Sequence, residues 1–508
     1  MLLPIKNPRH RPLQISYTRL GQKNGVLRFW QEGLRLTDAG FEPGQSIRAN
    51  PIPELSTLII EAGEGGHTVS GRKNRYTEHR TPIIDINNRK LEETFGDARL
   101  LRTSYYKGKL VVQAHSQEMN RITALDDFKT NLRAGALSMG SICVGGGVCS
   151  TAIKNGAELE GARIESEWLI DIENKYLQSL LDNTSVASDR TTIIEGAIGD
   201  VEAERLSPVN VLNISLPCTG FSKSGRAKNR LLNPESHKTA GTAIIKTLEI
   251  IEKLMPPVIW NENVESFASS ASADLMAGRL KELGYHVEVG VYGGEMGTLE
   301  DRKRSILVAS HPSLSLSLES LVPMMDKEDC LNDVLETIPL DDSSWKPYDY
   351  LAAKELRDIA EGKGFRRQLL SGEEKYCGVL GAGYAKARST EPFIQHPEKH
   401  NLSRLLTETE HARVMKNSPR LVANMSKKLA HEILGQSGSG ALFTALGSWL
   451  IKESRRKTEL TERMLYPKNN QNSSLRQSRS TQNETRSISE IETSIKEQDS
   501  IQMSLGVL

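Results

Sequence analysis

The chain is short of several things, and each shortage removes a class of explanation. Its five cysteines (143, 149, 218, 330 and 377) are odd in number, scattered, and include no C-x-x-C pair. That excludes a disulfide framework and a thiolate zinc site, and fits a reduced, intracellular setting. No metal is expected. No stretch approaches the roughly 20 apolar residues that a membrane span needs, so no membrane partner is expected. The opening MLLPIKNPRHRP is broken by proline and charge and lacks a signal-peptide core. A cytoplasmic protein is predicted. Net charge is nearly absent: 65 basic against 64 acidic residues leave +1, which says nothing of a nucleic-acid partner. The distribution is more telling, since residues 1–135 hold 21 Lys/Arg and only 14 Asp/Glu. Such an excess suits a segment near phosphate, and equally an ordinary charged surface.

At 508 residues the chain exceeds one average domain. Residues 136–315 alternate strand-like and helical patterns. VLNISLP (211–217) and VIWNEN (258–263) are apolar runs, TAIIKTLEIIEKLM (242–255) has helical spacing, and RSILVAS (304–310) closes the series. The alternation predicts an α/β fold with a mostly parallel sheet and ligands at the carboxyl ends of its strands. Residues 316–400 lose the rhythm and read as a loop-rich insert. Helical pattern returns over 401–452 and is expected to pack back on the first part. Residues 453–508, rich in Ser, Asn, Gln and mixed charge, read as a disordered tail after a short helix. Residues 1–130 contain two β-rich stretches with matching five-residue spacings, Phe29 to Leu34 and Ile86 to Leu91. A degenerate repeat would bury the open face of each copy against the other; unrelated β-rich stretches would read the same way.

Three segments carry candidate chemistry. LPCTGFSKSGR (216–226) places Cys218 between an apolar strand and a Gly/Ser loop with Lys223 and Arg226 nearby. A reactive thiol needs access and positive potential, although a lone cysteine is more often a buried structural one. WNENVESF (260–267) ends the next strand with Glu262, an acid/base candidate or a solvated cap. GTLEDRKRSILVA (297–309) alternates Arg302 and Arg304 into a strand, suited to holding an anion or to decorating an edge.

In this order and spacing the segments resemble the DNA cytosine-5 methyltransferase family over about residues 139–452. The resemblance rests on Pro217-Cys218, on Glu262-Asn263-Val264 and on Arg302-Lys303-Arg304. RLLTETEHARVM (404–415) and LGQSGSGALFTALGSWL (434–450) are similar to its last two motifs. It implies a Rossmann-like domain that uses S-adenosylmethionine to methylate carbon 5 of cytosine in double-stranded DNA, in the manner of a modification enzyme in a bacterial cell. Cys218 would be the nucleophile, Glu262 the group on ring N3, and Arg302 with Arg304 the positioning pair. Residues 316–400 would recognise the target sequence. The cofactor would lie on Gly145, Gly146 and Gly147, with Asp171 on its ribose and Asp200 on its adenine. Pro217, Gln436 and Ser437 would complete that pocket. The chain departs from the family pattern at Thr219, Glu300 and Gln436, and its glycines are compressed into SICVGGGVC (141–149). Nearby rivals are methylation of tRNA and a regulator with an inactive methyltransferase half.

The N-terminal region resembles the swapped-hairpin barrels of SymE- and AbrB-like proteins, which implies a mainly-β barrel and a DNA-binding module using Arg72, Lys73 and Arg75. Gln502-Met503-Ser504-Leu505-Gly506-Val507 resembles peptides that dock on the bacterial sliding clamp. A monomer is expected.

Overall fold

A computed structural model describes residues 11–73, 80–218 and 240–465. Thr219, Lys223, Arg226, Arg75 and residues 466–508, with the clamp-like peptide at Gln502–Val507, lie outside the described residues. The chain divides into two compact units, the first reaching Met119 and the second spanning Asn120–Glu462.

In the first unit one order of elements occurs twice. The first copy runs β1 (Gln14–Arg19), β2 (Gly21–Lys23), β3 (Val26–Glu32), α1 (Leu34–Asp38), β4 (Ser46–Ile52) and β5 (Thr57–Ala62). The second runs β6 (His67–Thr68), β7 (Ser70–Lys73), β8 (Arg80–Asn87), α2 (Lys90–Phe95), β9 (Leu100–Tyr106) and β10 (Lys109–Ala114). One sheet has the order β1-β9-β10-β5-β4-β6 and the other β2-β3-β8-β7. Exchanging the two copies turns each order into its own reverse, as a pseudo-two-fold axis requires. Phe29, Leu36, Ile47 and Leu58 meet Ile84, Leu91, Leu101 and Leu110 in a single core, so each copy closes the other's open face. Matching bonds, Leu20 N to Arg99 O and Val69 N to Gln45 O, fix the correspondence. With the hairpin registers they align Phe29 with Ile84 and Leu36 with Leu91. The spacing match in the sequence therefore pairs the right elements but is out of step. Leu34 is exposed where Leu91 is buried.

The second unit is built on a seven-stranded sheet. Its strands are β11 (Ala136–Ile142), β12 (Arg163–Asp171), β13 (Thr192–Glu195), β14 (Val211–Ile214), β15 (Val258–Val264), β16 (His286–Tyr292) and β17 (Arg304–Ser310), in the order β13-β12-β11-β14-β15-β17-β16. The first five are parallel, and β17 runs antiparallel to both neighbours. Burial on both faces explains the continuous apolar runs at β14 and β15. One face carries α3 (Ser116–Ala134) and α4 (Val148–Leu159), with Phe128, Leu132 and Ile153 in the core. The other carries α6 (Ala240–Leu254) and α7 (Ala271–Glu282) through Ile244, Leu248 and Met276. Between β12 and β13 lies α5 (Asn174–Asn183). Because Leu125, Phe128 and Leu132 belong to this core, the second unit starts earlier than residue 131.

Residues 316–400 are less irregular than their composition implied. They contain α8 (Asp349–Ala360), and the strands β18 (Gln368–Leu370) and β19 (Pro392–Gln395), which form a small sheet with β20 (Ser403–Arg404). The helix escaped notice because its apolar stripe is thin: Leu356 and Ile359 face solvent while Leu351 is buried. Leu331, Leu370 and Tyr384 share a core with α9 (Glu408–Val414) and α10 (Lys427–Gln436). Finally α11 (Gly440–Leu465) returns to α4, and it extends past residue 452 as one continuous helix. A Cβ on Gly447 would sit 2.1 Å from Ile153 O, and one on Gly156 would sit 2.0 Å from Thr444 O. Only glycine permits that crossing. No helix among the described residues is long and apolar enough to cross a membrane.

Candidate active site

The carboxyl ends of the parallel strands open into a cavity of about 420 Å3, within the range of small-molecule sites. After β11 the backbone turns through three left-handed residues, Cys143 at φ 57°, Gly145 at φ 57° and Gly147 at φ 76°, into the N-terminus of α4. Gly145 N donates to Asp171 Oδ2 at 2.7 Å, and Glu173 N donates to Asp171 Oδ1 at 2.9 Å. The carboxylate at the end of β12 thus holds the glycine turn against the next strand. Burial raises the Asp171 pKa, partly countered by those backbone donors. Gly146 has no room for a side chain, since a Cβ would lie 2.7 Å from Ile433.

β14 delivers Ser215, Leu216, Pro217 and Cys218 to the cavity wall, and β15 delivers Glu262 and Asn263 beside them. Asn263 Nδ2 donates to Leu216 O at 3.0 Å, tying the cysteine segment to the acid's strand. Glu262 is buried, and Arg304 Nε lies 2.6 Å from its Oε1. Burial pushes the Glu262 pKa up, while Arg304 and Arg302 pull it down. The Cys218 thiol is also raised by burial and lowered by Arg304. The same cations, Arg304 foremost and Arg302 behind it, therefore bias both groups toward their charged forms. Two further thiols, Cys143 and Cys149, line the same cavity and are both pushed up to about 12 by burial.

The late segment closes the wall. Gln436 and Ser437 face the cavity, and Gly438 N donates to Cys149 Sγ at 3.3 Å. Arg304 Nη2 donates to Ser437 O at 3.1 Å. Arg302, immersed nearby, pairs with Glu300 Oε1 at 2.9 Å and donates to Gly435 O at 2.9 Å and Ser437 O at 3.0 Å. Glu300 Oε1 also accepts from Leu380 N at 2.8 Å.

Of the residues expected from the sequence, Cys218, Glu262, Arg304, Gly145, Gly146, Asp171, Pro217, Gln436 and Ser437 share this cavity. Three stand off its wall. Arg302 spends its guanidinium on Glu300 and on carbonyls at the end of α10, which makes it a clamp for the late segment. Gly147 faces Leu180, with a Cβ-to-side-chain distance of 2.9 Å. Asp200 is exposed beyond Gly196–Gly199, which line the cavity in its place. Sequence reading missed Glu173 and Tyr176 on the wall. The i, i+3 spacing of these two on α5, directly after Asp171, was the available signal.

A doubly covered α/β sheet with a glycine turn, a strand-end carboxylate and a cysteine–glutamate–arginine group around one cavity defines a class: Rossmann-like methyltransferases. The profile of C-5 cytosine-specific DNA methylases matches residues 151–495, and the chain belongs to that family. It is a DNA cytosine methyltransferase, and its family takes the methyl group from S-adenosylmethionine. Solved structures share the fold. The Dnmt2 methyltransferase of S. pombe matches with 17% identity and a TM-score of 0.50, over 62% of this chain and 98% of that one. The EhMeth methyltransferase of Entamoeba histolytica matches with 16% identity and a TM-score of 0.50, over 63% and 98%. No curated protein sequence matches significantly.

The residues present fit that cofactor. The α4 N-terminus and the glycine turn offer backbone N–H groups, Asp171 and Glu173 offer acceptors for hydroxyls, and Tyr176 and Ile172 give apolar surface.

Proposed function

We propose that the enzyme methylates cytosine in duplex DNA by covalent catalysis, with Cys218 as nucleophile and the target base turned out of the helix. The observation that carries this reading is the convergence of Cys218, Glu262 and Arg304 on one cavity, with Arg304 2.6 Å from Glu262.

Carbon 5 of cytosine is a weak nucleophile while its ring is conjugated. Addition of the Cys218 thiolate to carbon 6 removes that conjugation and leaves carbon 5 electron-rich. Glu262, whose pKa burial pushes up, donates in its protonated form to ring N3 and absorbs the charge that the addition pushes into the ring. Arg304 keeps the carboxyl aimed and stabilises the thiolate. The cofactor supplies an electrophilic methyl group to carbon 5. Loss of the carbon 5 proton to solvent, elimination of the Cys218 thiolate and return of the N3 proton to Glu262 then restore the ring and the free enzyme. A base stacked in a duplex cannot meet a thiol recessed at a strand end, so the nucleotide must swing out. Residues 316–400 are proposed to read the surrounding sequence, and Gly145, Asp171, Gln436 and Ser437 to hold the cofactor. Arg302 acts indirectly, by fixing the wall that contains Gln436 and Ser437.

The test is Cys218→Ser with labelled cofactor and duplex DNA. Retained DNA binding with no transfer supports the reading; full turnover overturns it. Substituting 5-fluorocytosine at the target, which blocks proton loss, should trap the wild-type enzyme as a denaturation-resistant adduct.

A further inference from the structure

One group at the cavity is bonded to its wall without being part of it. Tyr176 on α5 and Gln436 on α10 both line the cavity, whereas Glu432, one turn before Gln436, does not. Tyr176 Oη donates to Glu432 Oε1 at 2.7 Å, and Lys175 Nζ lies 2.8 Å from the same oxygen. The first of these bonds joins residues 256 apart in the chain.

Each partner is held ready for that bond. Burial works against the Glu432 carboxylate, but Lys175 and Tyr176 bring its pKa below the ordinary value, so it stays charged and accepts strongly. Lys175 Nζ also lies 4.8 Å from the centre of the Tyr176 ring, within reach of a cation–π contact. The ring itself is buried.

The contacts continue to the glycine turn. Gln436 approaches the same tyrosine hydroxyl. Its Nε2 is 3.8 Å from where a Cβ on Gly145 would sit, and its neighbour Ile433 leaves no room for a Cβ on Gly146. Lys175, Glu432, Tyr176 and Gln436 thus form one chain of contacts from α5 to α10, ending over the turn that Asp171 holds.

We propose that Glu432 is a positioning residue for the cofactor: through the Tyr176 hydroxyl it latches α5 to α10 and sets the Tyr176 ring and the Gln436 amide as one face of the cavity. This role rests on the assignment of the cavity to S-adenosylmethionine. The latch is made of protein groups alone. Its bonds do not run to Cys218, Glu262 or Arg304, so it acts on cofactor binding and leaves the chemical step unchanged.

Calorimetry with S-adenosylhomocysteine, the product form of the cofactor, reads the latch without turnover. Tyr176→Phe keeps the ring and removes the hydroxyl. It should weaken binding about tenfold, the scale of a hydrogen bond to a charged group. The KM for S-adenosylmethionine should rise by the same factor, while kcat and the KM for DNA stay within about twofold. Glu432→Leu should match Tyr176→Phe, and the double variant should bind no more weakly than either single one. Glu432→Gln still accepts from the hydroxyl and should return to within about threefold of the wild type. Unchanged binding in Tyr176→Phe, additive losses in the double variant, or Glu432→Gln as weak as Glu432→Leu overturns the latch while wild-type binding stands. Absence of binding by the wild-type protein overturns the cofactor assignment, and the latch with it.

Discussion

Strand for strand the N-terminal unit repeats itself, whereas each strand end of the catalytic sheet carries a different chemical group. In the first unit, equivalent strands pair with one another, β3 with β8 and β5 with β10, and the core is shared by both copies. In the second, β11, β12, β14, β15 and β17 end or begin at a glycine turn, Asp171, Cys218, Glu262 and Arg304 respectively. Repetition secures stability with few kinds of contact. On the proposed mechanism the catalytic edge cannot repeat, because covalent addition needs a thiol, a proton donor and a cation at separate points of one ring.

Substitutions should separate these two economies. Cys218→Ser should lower methyl transfer by at least about 10^4-fold, leaving both thermal transitions in place, as calorimetry and single-turnover assays would report. Glu262→Gln should lower kcat by about 10^2- to 10^4-fold, with smaller change in KM for DNA. Arg302→Met should act through the late wall. Breaking a buried pair destabilises by about 3–5 kcal/mol, so a large fall in the second unit's Tm is expected while the first unit's melting stays put. Arg304→Gln tests the shared cation by pH. The Cys218 pKa is raised by burial and lowered by Arg304. Removing the cation raises it further, so the rate limb that climbs as the thiolate forms should move to higher pH. The smallest effect belongs to the N-terminal unit. Tyr105→Phe leaves buried Gln31 and Ser16 without the hydroxyl, and should cost that unit about 1–3 kcal/mol with no change in methyl transfer. Equal losses of activity from Tyr105→Phe and Arg302→Met would erase the distinction.

What could be read from residues alone follows the same division. β14, β15 and β17 were recognisable because both faces are buried, and the segments of Cys218, Glu262 and Arg304 because their order resembles the family's motifs. Arg302 was legible as a motif and not as a contact. Its partners, Glu300 apart, lie at Leu380, Gly435 and Ser437, and no local pattern encodes such distant pairing. The repeat was visible in outline, but its alignment was two residues off at Phe29. Register depends on which hairpins bond across the sheet, and Ile84 and Ile86 are equally apolar. α8 was hidden by its thin apolar stripe. Asp200 matched by position, yet its side chain faces solvent while Gly196–Gly199 line the cavity.

The bond from Gly438 N to Cys149 Sγ joins residues 289 apart in the chain. During synthesis Cys218, Glu262 and Arg304 all leave the ribosome well before Gln436 and Ser437. A chain interrupted near residue 310 would possess Cys218, Glu262 and Arg304 and still lack one wall of their cavity, together with the carbonyls that anchor Arg302 and Arg304. On the proposed reading, methyl transfer therefore waits on the segment that carries Gln436 and Ser437.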